Sequence, residues 1–96
     1  MTTKKKLTPK EQTQNREEQK LYIDPDENVT SVRERLERVN AKHVALVVPP
    51  QTHLRGQVAW KLLYMRAREL GKEVSIVSSD PQIRAMAQSV QFKVAS

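Results

Sequence analysis

The stretch Val44-Ala45-Leu46-Val47-Val48, closed by Pro49-Pro50, decides how this chain is read. All five residues are apolar, and Val44, Val47 and Val48 are β-branched. The run does not alternate with polar residues. A strand of this kind is apolar on both faces and expects cover on both, as in a parallel sheet held between helices. Proline lacks the N–H that a ladder needs, so the strand stops there.

Working outward, the flanking segments alternate in type. Leu21-Tyr22-Ile23 reads as a short first strand, ended by Asp24-Pro25-Asp26. A helix starts near Asn28 or Thr30, with Val29, Val32, Leu36 and Val39 on one face. Asn40 stands where a left-handed residue commonly ends a helix. The second strand is His43–Val48. A second helix runs from about His53 to Leu70 and stops at Gly71. Glu73–Val77 is a third strand. Asp80 (or Ser79) caps a third helix that begins at Pro81 and turns Ile83, Met86, Ala87 and Val90 inward. Phe92–Ala95 is a fourth strand. The order β-α-β-α-β-α-β predicts an α/β fold: a three-layer sandwich around a four-stranded, mainly parallel sheet with right-handed crossovers. The second strand is expected inside that sheet. No helix follows the fourth strand, so the chain is expected to be cut from a longer protein.

Ninety-six residues allow one domain. Residues 1–18 read as a disordered basic arm, because Leu7 is their one large aliphatic side chain. Within it, Thr8-Pro9-Lys10-Glu11 has the form of a capping box and favours a transient helix over 9–18. Residues 19–96 form the single α/β domain. The chain has no cysteine, which excludes disulfides, thiolate metal sites and thiol catalysis, and suits a cytoplasmic setting. No apolar run approaches the roughly 18 residues of a membrane span, so direct insertion is not expected. The net charge is +6, and residues 1–20 carry six bases against three acids. Positive charge spread in this way favours weak, salt-sensitive contact with polyanions, here through Lys4-Lys5-Lys6. The few aromatics are not interleaved with the bases, so no stacking platform for nucleic acid is expected.

On a helical wheel the second helix shows two apolar arcs. Gly56, Ala59, Trp60, Leu63, Ala67 and Leu70 form one, and its small residues suit close packing on a sheet. Leu54, Val58, Leu62 and Met65 form the other. This second arc either packs within the domain or serves as an interface with another domain or a homodimer partner.

Ligands of open parallel sheets bind beyond the carboxyl ends of the strands. The candidate rim there holds Asp24, Asp26, Thr52, His53, Arg55, Ser78 and Asp80. The three aspartates offer oxygen ligands of the kind Mg²⁺ takes, yet Asp24 and Asp26 equally suit a turn and Asp80 a helix cap. The start of the second helix, with Thr52, His53 and Arg55, is a candidate phosphate or nucleotide site. ATP is the example to test. The glycine-rich loop of nucleotide sites is missing, since Gly56 and Gly71 lie in no such pattern. His43 and His53 are too far apart along the second strand to share a metal, and no catalytic constellation stands out.

Tyr22-Ile23-Asp24-Pro25-Asp26-Glu27-Asn28-Val29-Thr30, the strand end Val47-Val48-Pro49-Pro50, and Trp60–Gly71 followed by Val74-Ser75-Ile76-Val77 together resemble a family of uncharacterised bacterial domains. The resemblance covers roughly residues 21–95. It implies a Rossmann-like or flavodoxin-like fold near the N-terminus of a longer protein, often ahead of membrane-linked or low-complexity regions. It implies no catalytic residues and no cofactor. The expectation is therefore a non-catalytic interaction or sensing module. The alternatives are a nucleotide- or phosphate-binding domain and a weak nucleic-acid binder acting through the arm.

Overall fold

A computed structural model describes residues 18–95. The expected arm, Glu18 apart, and its capping box lie outside that range. The described chain forms β1 (Gln19–Tyr22), α1 (Val29–Arg38), β2 (His43–Val47), α2 (Gln57–Glu69), β3 (Glu73–Val77), α3 (Pro81–Ser89) and β4 (Lys93–Ala95). This is the expected α/β order.

Local chemistry sets most element boundaries. At the start of α1, Asn28 Oδ1 accepts the Ser31 N–H at 2.9 Å. At α3, Asp80 Oδ1 accepts the N–H groups of Gln82 and Ile83 at 2.8 and 3.3 Å, and Pro81 fills the first helical position. Such caps satisfy N–H groups that no helical carbonyl reaches. Two helices end on a left-handed residue, Gly71 (φ +69°) after α2 and Gln91 (φ +84°) after α3. In both, the next N–H turns back into the helix: Lys72 to Ala67 O and Phe92 to Ala87 O, each 3.0 Å. Gln91 thus occupies a position that glycine takes at lower cost. The expected left-handed Asn40 is corrected. After α1 the chain leaves in an extended conformation from Val39 (φ −74°, ψ 138°). Lys72 Nζ braces that exit by donating to Val39 O at 2.7 Å and Ala41 O at 3.1 Å.

The strands are all parallel and lie in the order β1-β2-β3-β4. β2 is interior, as its composition predicts. A sheet built in chain order with crossovers of one hand carries every helix on one face. The contacts agree: Arg66 Nε of α2 donates to Glu37 Oε2 of α1 at 2.8 Å, and Gln57 Nε2 of α2 donates to Ser89 Oγ of α3 at 2.8 Å. The helices stand side by side, with α2 in the middle.

One core lies beneath them. Val44, Leu46 and Val48 meet Val74 and Ile76 from the sheet, and Val32, Leu36, Trp60, Leu63, Ile83 and Ala87 from the helices. Trp60 is fully buried and donates its indole N–H to Leu54 O at 2.8 Å. Phe92 meets it edge-on, with ring centroids 6.1 Å apart. The layering therefore differs from the expected three. Among the described residues the α/β sandwich has two layers, one of helices and one of strands.

Candidate functional site

Three arginines tie down the carboxyl rim of the sheet. Arg35 Nη1 donates to Tyr22 O at 2.9 Å and to Glu27 Oε1 at 2.6 Å. Arg55 donates to Pro50 O, to Gln82 Oε1 at 2.9 Å and to Asp80 Oδ2 at 3.2 Å. Arg84 Nη1 donates to Ser78 O and Ala95 O, both at 3.0 Å. Each guanidinium thus holds at least one backbone carbonyl at or just beyond a strand end.

The rim residues expected from the sequence are mostly occupied by this scaffolding. Thr52 and Ser78 are buried. Thr52 Oγ1 accepts the Leu54 N–H at 3.1 Å, and Ser78 Oγ accepts the Asp80 N–H at 3.0 Å. Arg55 and Asp80 come together as an ion pair. The exposed His53 is placed by its N–H, which donates to Pro25 O at 3.2 Å, so the loops after β1 and β2 touch. Asp24 and Asp26 are exposed. Among the described residues no group of three or more His, Asp or Glu gathers as a metal site.

The electrostatics of the rim fit support rather than reaction. Burial pushes the Glu27 carboxyl up, but hydrogen bonds from Ser31 Oγ and the Asp24 N–H, with the Arg35 guanidinium, hold it below the ordinary glutamate value. Burial likewise raises Asp80. The Arg55 hydrogen bond, the Gln82 and Ile83 N–H groups and the Arg55 charge outweigh that and hold it low. A carboxylate held low stays ionised and makes a poor proton carrier at neutral pH. Glu27, Arg35 and Arg84 were not singled out from the sequence. The signal for Glu27 was present, because it precedes the Asn28 cap and stands four residues before Ser31.

The partner face expected on the second helix is partly corrected. Leu54 is buried in the core, because α2 begins at Gln57 and the helical phase does not extend back to it. Val58, Leu62 and Met65 are exposed at 73%, 46% and 50%. They span about 60° of the wheel, less than the roughly 100° apolar face of a core-packed helix. Lys61 and Arg68 flank them on one side and Arg66 on the other. Val58 and Met65 border a groove of about 570 Å³ against Val90, between α2 and α3. A second hollow, of about 470 Å³, lies at the amino ends of the strands and is lined by Tyr64, Arg68, Lys72 and Lys93 among others.

No described helix lies on the sheet face away from α1, α2 and α3. Side chains alternate along a strand, so the partners of Val44, Leu46, Val74 and Ile76 on the far side are fixed by register. One row across the four strands is Lys20, Ala45, Ser75, Lys93. The next is Tyr22, Val47, Val77, Ala95. Tyr22 is 63% exposed, while Val47, Ser75 and Val77 are half-buried. Ala45 is buried yet lies outside the helix-facing core. At the amino end, His43 Nε2 and Glu73 Oε1 pair at 2.9 Å on this same face.

Among the described residues, fold and site together define a two-layer parallel α/β domain whose helices all lie on one side of the sheet. No family model, curated protein or solved structure matches the chain. No described helix is long and apolar enough to cross a membrane.

Proposed function

We propose that this chain is a non-catalytic protein-interaction module whose working surface is the open face of its sheet. The observation that carries the reading is the row Tyr22-Val47-Val77-Ala95, which no described helix covers. Parallel sheets are normally covered on both faces, because their strands are apolar on both. An apolar sheet face left to water favours a partner that removes it from water. The resemblance to bacterial domains near the start of longer proteins supports the same reading, with a neighbouring domain as partner. The setting proposed is the cytoplasm, where a chain without cysteine loses nothing.

The rival reading as a nucleotide or phosphate domain draws on the uncapped N-terminus of α2 beside Arg55. Against it, Thr52 and Ser78 turn their oxygens to backbone N–H groups, and Arg55 is held by Asp80 and Gln82. Two titrations of the full chain, followed by amide NMR, separate the readings. Synthetic amphipathic helices are expected to shift Tyr22, Val47, Val77 and Ala95, while millimolar ATP leaves residues 51–56 and 78–82 unmoved. The reverse pattern rejects the interaction reading in favour of the rival.

A further inference from the structure

Apart from the sheet face, the helical layer carries a docking surface of its own. We infer that the exposed stripe of α2, with the groove beside α3, takes one amphipathic α-helix that is acidic along a single flank.

The stripe has the spacing of a helix–helix seam. Val58, Leu62 and Met65 are exposed and stand four and then three residues apart. That is the spacing of the apolar positions in a coiled coil, whose seam is narrower than the face a helix turns to a core. The stripe stops at both ends on engaged residues, Arg55 with Asp80 and Glu69 with Arg66. The groove of about 570 Å³ runs beside it, with Val58 and Met65 on one wall and Val90 on the other. A rod-shaped partner fills seam and groove together. A flat surface such as a bilayer meets the seam and leaves the groove empty.

The two flanks of the stripe differ in charge. Toward α1, Arg66 donates to Glu37 and Glu69, both at 2.8 Å, so that flank is neutralised. Toward α3 the charged side chains of α2 are Lys61 and Arg68. Neither forms an ion pair with an acid among the described residues. Arg68 lies over the Tyr64 ring, 6.0 Å from its centroid, and borders the hollow that holds Glu18 and Glu73 without pairing with either. Pro81–Ser89 contains no acid, and its one charged residue, Arg84, is turned to Ser78 O and Ala95 O. Residues 1–17 carry five bases against two acids, so the chain's own arm adds positive charge rather than cancelling it, and Leu7 is its one large aliphatic side chain. A second copy, with α2 laid antiparallel on α2, sets Lys61 of one copy against Arg68 of the other, twice over. A foreign helix with Glu or Asp along the flank facing α3 meets both cations, whereas a basic flank is repelled there.

The test uses the full chain and two synthetic helices of about 18 residues, long enough to hold a helix when bound. Both carry the same Leu/Ala stripe. One flank is Glu in the first and Lys in the second, and the other flank is Gln in both. The Glu peptide is expected to shift the amides of Val58, Lys61, Leu62, Met65 and Val90. It is expected to bind about fivefold tighter than the Lys peptide, the scale of two exposed ion pairs. Lys61→Glu/Arg68→Glu is expected to reverse that order, and Lys61→Glu alone to remove part of the preference. Leu62→Gln is expected to weaken both peptides alike and keep the order. Circular dichroism checks that each variant is folded. Equal binding of the two peptides, or an unchanged order in the double variant, overturns the acidic occupant. Undiminished affinity in Leu62→Gln overturns the seam. A dimer in sedimentation, with shifts of the same amides in the absence of peptide, replaces the helix by a second copy. Binding to phosphatidylglycerol/phosphatidylcholine vesicles with no response to either peptide replaces it by a lipid surface. Peptide shifts confined to Tyr22, Val47, Val77 and Ala95 overturn this inference and leave the sheet-face reading standing, and shifts confined to the α2 stripe do the reverse.

Discussion

The two faces of this sheet are made by the same strands and live in different environments. Leu46 and Ile76 point into a core closed by three helices, whereas Val47 and Val77, one residue further on, point to a face the described helices leave bare. Composition does not separate the two sets, since both are aliphatic. Strand order does. Because each crossover adds its strand to the same growing edge, the helices accumulate on one side. The contrast teaches that burial in a parallel sheet is decided by topology as much as by side chain.

The sharpest way to break the contrast is to truncate neighbours on β2. Leu46→Ala is expected to cost about 2–5 kcal/mol, as for other buried leucines. Val47→Ala is expected to cost about 1 kcal/mol or less. Urea unfolding of both variants measures the difference, and equal losses would mean that the open face is covered in the folded chain. A smaller effect concerns acid. Glu27 braces the helix side, and its carboxyl is held below the ordinary value. Between the folded and unfolded pKa the unfolded chain binds more protons, so stability rises with pH there. The contribution is complete above the unfolded value and is lost as pH falls through the folded one. Glu27→Gln is expected to cost about 1–2 kcal/mol at neutral pH, the scale of hydrogen bonds to a charged group. It should also flatten the acid side of a stability-against-pH curve; an unchanged slope removes Glu27 from the bracing. The smallest effect belongs to the outer side of the helical layer. Leu62→Gln is expected to change stability by no more than about 0.5 kcal/mol, because the side chain is half exposed. A larger loss in thermal unfolding would show that this stripe is packed after all.

Much of the fold was legible in the sequence. Gly71, the Asp80-Pro81 cap, the interior position of β2 and the Trp60 arc follow from local patterns that the structure keeps. The number of helical layers was not legible, because it depends on the direction of each crossover. Ala45 and Val47 therefore read as covered by helices, whereas every described helix lies on the other side of the sheet. Leu54 was misplaced because the wheel extended the helix back to about His53, whereas α2 starts four residues later, at Gln57. At the candidate site, the rim residues were found as types, but their engagement was not. Whether Arg55 meets a ligand or Asp80 is a matter of distances that chain spacing does not contain. The open face was hidden for the same reason, since its two rows join residues from four separate segments.

The strand order has one more consequence, for how the molecule comes into being. Each strand pairs with the one made just before it: Gln19 with Val44, Val44 with Val74, Ser75 with Lys93. A ribosome delivering the chain from its amino end hands over every new rung to a neighbour already waiting, and no early segment must idle for a late partner. Assembly can keep pace with synthesis, so the bare side of the nascent sheet is on offer to a binding partner from the moment the third strand docks.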